Sequence, residues 1–81
     1  MNERVLTDGS IPMGASIIVL EPGERIERRA DAAETMLYVA RGSGRIADRE
    51  LARESVVWLE LGEEYALEAG PEGLEVLDGH A

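Results

Sequence analysis

The stretch RRADAAETMLYVARGSGR, residues 28–45, carries the strongest indication of how this chain folds. A charged, alanine-rich segment leads into TMLYVA, residues 35–40, and a Gly-Ser-Gly turn follows. Because successive side chains of a strand point to opposite faces, one face of this segment begins with Thr35 and the other with Met36. Both faces are largely apolar. This pattern predicts a strand that a core covers on one side and a partner sheet or subunit covers on the other.

Short apolar segments of the same kind recur along the chain. They are ASIIVL (15–20), TMLYVA (35–40), SVVWLEL (55–61), YALEA (65–69) and LEVL (74–77). Glycine and proline turn signals separate them, which predicts an all-β sandwich or barrel. The alternative is an α+β mixture, because DRELARESVVWLEL (48–61) can also be written as an amphipathic helix. The cluster Val56-Val57-Trp58 favours the strand.

The size and composition indicate one small domain that needs additional buried surface. A chain of 81 residues buries only about 60% of the surface that it exposes when unfolded. It contains no cysteine, which excludes disulfides, a cysteine zinc site and a thiol nucleophile. Dimerisation is the remaining common way to bury more surface, so we expect a homodimer.

The charge argues against two classes of partner. Seventeen acidic residues oppose eight basic ones, all of them arginine, and the net charge is −9. Nucleic acid and an anionic membrane surface would both be repelled. The longest apolar run near the start, IIVL (17–20), is too short for a signal-peptide core or a membrane span. We therefore expect a cytoplasmic protein that binds neither nucleic acid nor membranes.

Two stretches of the chain resemble the two motifs of the cupin superfamily. The first is EPGERIERRADAAETMLYVARGSGRI (21–46) and the second is ESVVWLELGEEYALEAGPEGLEVL (54–77). The resemblance lies in the spacing of the glycines and the apolar strands, and it implies an all-β fold, a single small double-stranded β-helix or jelly-roll barrel. We expect an N-terminal arm over 1–14, the barrel over 15–78 and a tail over 79–81.

The resemblance also implies where a site would lie. In cupins, two histidines and a glutamate of the first motif and a histidine of the second bind a divalent metal. Counted along those motifs, Arg29 and Asp31 stand at the two histidine positions, Thr35 at the glutamate position and Tyr65 at the last histidine position. None of the four offers the nitrogen ligand that a transition metal prefers, and the fixed charge of Arg29 would repel a cation. We therefore predict neither a bound metal nor another cofactor.

The same four positions are our candidates for a ligand site in the barrel lumen: Arg29, Asp31, Thr35 and Tyr65. An arginine there would be always charged and well matched to a carboxylate, so the predicted ligand is a small organic anion. The competing interpretation is a solvated loop with weak surface ion pairs, formed by Arg28, Arg29, Asp31 and Glu34.

Two further residues bear on function. Trp58, the only tryptophan, is expected in the core or in a dimer interface. His80, the only histidine, is next to the last residue, and we expect it in a frayed tail. Without cysteine, lysine or an internal histidine, nothing in the sequence requires an enzyme.

The leading hypothesis is a metal-free, degenerate cupin that serves as a non-catalytic binding or interaction module. One alternative is a metal-dependent cupin enzyme, an isomerase or dioxygenase, with unusual ligands drawn from Glu27, Asp31, Glu34 and Tyr65. A purely structural dimerisation domain is the other alternative.

Overall fold

The structure is a computed structural model that describes residues 1–6, 14–30 and 34–80. Seven strands and no helix are found within these ranges, which confirms the all-β fold class. The strands are β1 (Asn2–Val5), β2 (Gly14–Leu20), β3 (Arg25–Arg29), β4 (Glu34–Ile46), β5 (Arg49–Leu51), β6 (Val56–Glu60) and β7 (Glu64–His80). The described part of the chain therefore contains no helix that could span a membrane.

The seven strands form one antiparallel sheet that is folded over into two halves. In the first half the order is β1-β2-β7-β4-β6, and in the second half it is β3-β7-β4-β5. The long strands β4 and β7 belong to both halves: residues 74–80 of β7 pair with β2 and with the start of β4, while residues 64–68 of β7 pair with β3. This arrangement is the small jelly-roll barrel that the sequence predicted.

The bend of β4 between the two halves depends on Gly42. Its φ of 78° lies in the left-handed region that favours glycine, and a Cβ on it would overlap the carbonyl oxygen of Gly73 on β7. The register between the two strands shifts twice here, between Val39 and Arg41 and between Gly42 and Gly44. Such bulges bend a strand, so they let β4 cross from one half of the barrel to the other.

The core lies between the two halves and is formed mainly by alternate residues of β2, β4, β6 and β7. Its largest fully buried side chains come from three strands, namely Ile18, Leu20, Leu37, Val39, Leu67 and Val76. The outward neighbours in the same strands are only partly buried. The alternation predicted from Thr35 and Tyr65 is therefore the alternation that the structure has.

Residues near both ends of the chain lie in strands. β1, inside the segment predicted as an arm, pairs with β2 of the same chain, while residues 7–13 lie outside the described residues. The expectation of a frayed tail at His80 is wrong: His80 ends β7, where Gly14 and Thr35 lie opposite it on the two neighbouring strands. This end of β7 is paired with β2 on one side and β4 on the other. The local sequence around His80 does not reveal these partners.

Trp58 is not a core residue. It lies on the outer side of β6 and its side chain is 68% exposed, whereas the inward positions of that strand are Val57 and Leu59. Of the two roles expected for Trp58, only the interface remains a prediction.

The core makes a direct prediction about stability. Leu67 is fully buried, so Leu67→Ala should lower the free energy of unfolding by about 2–5 kcal/mol. Leu61→Ala is the matched control, because Leu61 is 65% exposed and its truncation should change the free energy by less than about 0.5 kcal/mol. Urea unfolding followed by circular dichroism measures both, and equal losses for the two variants would contradict this core.

Candidate functional site

At one end of the barrel, the inward-facing positions of the strands hold polar residues. Ser16 lies two residues before Ile18 on β2, and Asp78 lies two residues after Val76 on β7. Together with side chains of β3 and β4 they line a cavity of about 210 Å³. The polar side chains that matter most there are Ser16, Arg28, Thr35, Tyr65, Asp78 and His80. We call this cavity the polar end.

Strand register brings these residues together. Ser16 is directly opposite Asp78, Thr35 is opposite His80, and Arg28 is opposite Tyr65. Paired residues of neighbouring strands point to the same face, so each pair sends two polar groups to the same side of the sheet. The polar end is thus built from pairs that are distant in sequence.

Asp78 is the residue least suited to a merely structural role. It is only 9% exposed, and its Oδ1 is buried with no hydrogen-bond partner among the described residues. Nδ1 of His80 is 3.6 Å from that oxygen, which is too far for a hydrogen bond. Burial raises the pKa of the Asp78 carboxyl, and the neighbouring His80 and Arg28 oppose this effect only in part.

Arg28 is already compensated by Glu3. Its Nη2 donates to Oε1 of Glu3 at 2.5 Å and its Nη1 donates to Oε2 at 3.1 Å, a two-point pairing that joins β3 to β1. Oγ of Ser16 also donates to Glu3, at 3.2 Å. The hydrogen bonds from Arg28 hold the pKa of Glu3 below its ordinary value. Glu3 therefore largely neutralises the positive charge of Arg28.

The imidazole of His80 lies over the backbone of Gly14. A Cβ on Gly14 would overlap the ring, so the ring fits only because position 14 has no side chain. The side chain of His80 is 41% exposed, which leaves it open to the cavity and to solvent.

The predicted site residues have different positions in the structure. Thr35 and Tyr65 are buried and line the polar end. Arg29 also borders it, but its side chain is exposed and its Nη2 is 3.9 Å from the place of a Cβ on Gly62. The inward arginine of β3 is Arg28. Asp31 lies outside the described residues.

Sequence reasoning missed Asp78, His80, Ser16 and Arg28. A signal existed for the first two, because the alternation of Leu74 and Val76 continues without a break through Asp78 and His80. Arg28 was missed because the motif count selected Arg29. The two residues are adjacent on β3 and therefore face opposite sides, with Arg28 on the inward side.

The residues of the polar end do not fit the metal that cupins bind. No group of three or more His, Cys, Asp or Glu side chains is placed to hold a metal ion within the described ranges. Thr35 and Tyr65 are not the ligands that the motif requires, and the guanidinium of Arg28 borders the same cavity.

Comparison with solved structures identifies the fold. An RmlC-like cupin protein from Desulfovibrio desulfuricans matches with a TM-score of 0.83 and 14% identity, over 99% of this chain and 80% of its own. A cupin superfamily protein from Desulfitobacterium hafniense matches with a TM-score of 0.82 and 18% identity, over 98% of this chain and 74% of its own. The chain therefore has the cupin fold.

A third match comes from the crystal structure of Rhodobacter sphaeroides SigE in complex with the anti-sigma ChrR. Its TM-score is 0.83 at 12% identity, and it covers 98% of this chain but only 43% of the matched chain. This chain thus spans less than half the length of that relative. No protein-family model and no curated protein matches the sequence.

The raised pKa of Asp78 predicts how stability depends on pH. Between the ordinary pKa of 3.8 and its raised value, the folded protein holds a proton that the unfolded chain has released. The contribution of Asp78 to stability is therefore lost as the pH rises through this interval. Asp78→Asn should accordingly be more stable than the wild type at pH 7, and the advantage should disappear below pH 3.8. Urea unfolding of both proteins across this range measures it, and a difference that does not vary with pH would contradict the assignment.

Proposed function

We propose that this chain is a metal-free cupin module that binds a small hydroxylated organic acid at the polar end and does not transform it. The observation that carries the proposal is the buried Oδ1 of Asp78, which has no hydrogen-bond partner among the described residues. A buried acceptor without a donor costs about 1–3 kcal/mol, so a ligand hydroxyl that donates to Oδ1 would recover free energy on binding.

Arg29 is the group proposed to receive the ligand carboxylate. Arg28 is paired with Glu3, whereas Arg29 has no ion pair among the described residues and borders both the polar end and the adjacent groove along Glu64 and Ala66. Its planar guanidinium can donate two parallel hydrogen bonds to a carboxylate. The proposed ligand is therefore an organic anion, as the sequence predicted, and Asp78 selects one that also carries a hydroxyl.

The size of the cavity supports a small ligand. Its 210 Å³ corresponds to about seven water molecules at about 30 Å³ each. Drug-sized ligands occupy pockets of about 300–1,000 Å³, so the ligand is expected to have only a few carbon atoms.

Three four-carbon probes test the proposal: 3-hydroxybutyrate, butyrate without the hydroxyl, and 1,3-butanediol without the carboxylate. We expect 3-hydroxybutyrate to bind at least tenfold more tightly than either of the others, because each lacks one of the two contacts. Titrations followed by two-dimensional amide NMR measure weak binding directly. Asp78→Leu, which keeps a similar size but has no acceptor oxygen, should remove the preference for the hydroxyl. Arg29→Gln should remove the preference for the carboxylate, while Glu68→Gln, an exposed position on the outer side of β7, is the matched control.

Four results would count against this proposal. Equal affinity for all three probes, or perturbed amides that lie far from Asp78 and Arg29, would place binding elsewhere. A native mass spectrum with one stoichiometric metal per chain, from protein purified without added metal, would favour the metal-dependent cupin enzyme instead. A protein that binds none of the probes and no co-purifying molecule would leave the purely structural domain as the better proposal.

An acid–base enzyme is the second candidate, because His80, although next to the last residue of the sequence, lines the polar end. His80 and Asp78 lie in the same cavity as Tyr65, three groups that can exchange protons. If they catalyse proton transfer, 3-oxobutyrate incubated in D₂O should exchange the hydrogens of the carbon between its ketone and its carboxylate faster than it does without protein, and His80→Asn should return the rate to the uncatalysed one. A wild-type rate equal to the uncatalysed rate favours the binding module.

A further inference from the structure

β6 is an open edge of the barrel, and its composition differs from that of the other open edges. Among the described residues, β1, β3, β5 and β6 each pair with a single neighbouring strand. β1 (NERV) and β3 (RIERR) carry charged side chains along their length, and β5 has only three residues. Charged or very short edges discourage the addition of another strand. β6 (VVWLE) has five residues and a charge only at its end, so it is the edge best suited to receive one.

The backbone of β6 has unpaired groups on its open side. In an antiparallel pair, alternate residues bond to the neighbouring strand, and the residues between them direct their N–H and C=O groups away from it. A backbone N–H of β4 donates to the C=O of Ser55 at 3.0 Å, and this bond sets the alternation. It assigns the bonds with β4 to Val57 and Leu59. The backbone groups of Val56 and Trp58 therefore point to the open side.

The turn after β6 agrees with this assignment. Glu60 is two residues beyond Trp58, and its backbone groups also point away from β4. Its N–H donates to Oε1 of Glu63 at 3.0 Å, and its C=O accepts from the N–H of Glu63 at 3.0 Å. The open edge thus ends at Glu60, and Val56 and Trp58 offer four backbone groups to a further strand.

The side chains beside the open edge favour a cationic partner. Trp58 is 68% exposed, and Glu34 and Glu60 lie directly opposite each other on the same outward side. With Leu59 they line a surface depression of about 600 Å³. The two carboxylates repel each other, and neither forms an ion pair with a described residue. An arginine side chain would neutralise this pair and can stack on the indole ring of Trp58.

We infer that the open edge of β6 binds an extended basic segment of another protein as an additional antiparallel strand. The segment forms backbone hydrogen bonds with Val56 and Trp58, and one of its arginines lies against Trp58, Glu34 and Glu60. In strand addition the main-chain bonds supply affinity and the neighbouring side chains supply specificity. The net charge of −9 adds a general attraction for any basic partner. This interaction is independent of the ligand proposed for the polar end.

Three peptides of five residues with blocked ends test the inference. The first is Val-Arg-Val-Arg-Val, the second has glutamate in place of both arginines, and the third is the first peptide with N-methyl groups on both arginines. The N-methyl groups remove the N–H donors that would pair with β6 and keep the charge. We expect the first peptide to bind at least about tenfold more tightly than either of the others. The fluorescence of Trp58, the only tryptophan, measures the affinities.

Amide hydrogen exchange followed by NMR identifies the added strand directly. In the free protein the amide hydrogens of Val56 and Trp58 should exchange fast, whereas those of Val57 and Leu59, bonded to β4, should be protected. A saturating concentration of the first peptide should slow exchange at Val56 and Trp58 by about tenfold or more and leave Val57 and Leu59 unchanged.

Matched removal of charge separates this site from the general attraction. Glu34→Gln combined with Glu60→Gln should weaken binding of the first peptide about tenfold. Glu50→Gln combined with Glu72→Gln removes the same charge at exposed positions on other segments, and it should change the affinity by less than about twofold. Circular dichroism checks that both double variants are folded.

Four results would overturn the inference. They are equal affinity for the arginine and glutamate peptides, equal losses for the two double variants, unchanged exchange at Val56 and Trp58, and binding of the N-methylated peptide as tight as that of the unmodified one. Protection of Val56 and Trp58 that appears in the free protein only at high protein concentration would overturn it as well, because a second copy would then occupy the edge.

Discussion

The close approach of β4 and β7 at the corner of the barrel is the constraint on which the rest of the structure depends. Gly42 lies so near the carbonyl oxygen of Gly73 that a side chain at position 42 has no room. This contact lets both long strands turn from one half of the barrel into the other and pair on both sides. Every inward side chain of the two halves consequently faces a common interior. The core and the polar end are two regions of that interior.

The polar end combines a satisfied ion pair with an unsatisfied carboxylate. Glu3 and Arg28 form a two-point ion pair that joins β1 to β3 and so stabilises the open end of the barrel. Asp78 is buried beside them, and burial raises the pKa of its carboxyl. A buried carboxylate that lines a cavity, and whose Oδ1 has no hydrogen-bond partner among the described residues, is better explained by a ligand than by packing. This contrast supports the proposed site more than the fold does, since one fold serves many functions.

The last residues of β7 serve two surfaces at once. Asp78 and His80 point into the polar end, while Leu77 and Gly79 belong to the opposite side of the same strand. A strand that is apolar on its outer side and polar on its inner side at this point cannot be assigned to a core alone. The proposed ligand site therefore concerns only the inner side of this end of β7.

Local patterns in the sequence were sufficient for the class of fold and for part of the site. The alternation in TMLYVA and YALEA, with turn glycines between segments, identified the strands. The resemblance to the cupin motifs, rather than the alternation, selected Thr35 and Tyr65 as residues of the barrel lumen. The same alternation extends through Asp78 and His80, but no local pattern shows that β2 and β4 flank the end of β7. The choice between Arg28 and Arg29 also depended on register, since a shift of one residue moves a side chain to the other face. Only the tertiary structure decided which polar residues share a cavity, because strand pairing between distant segments sets those neighbours and no single segment encodes it.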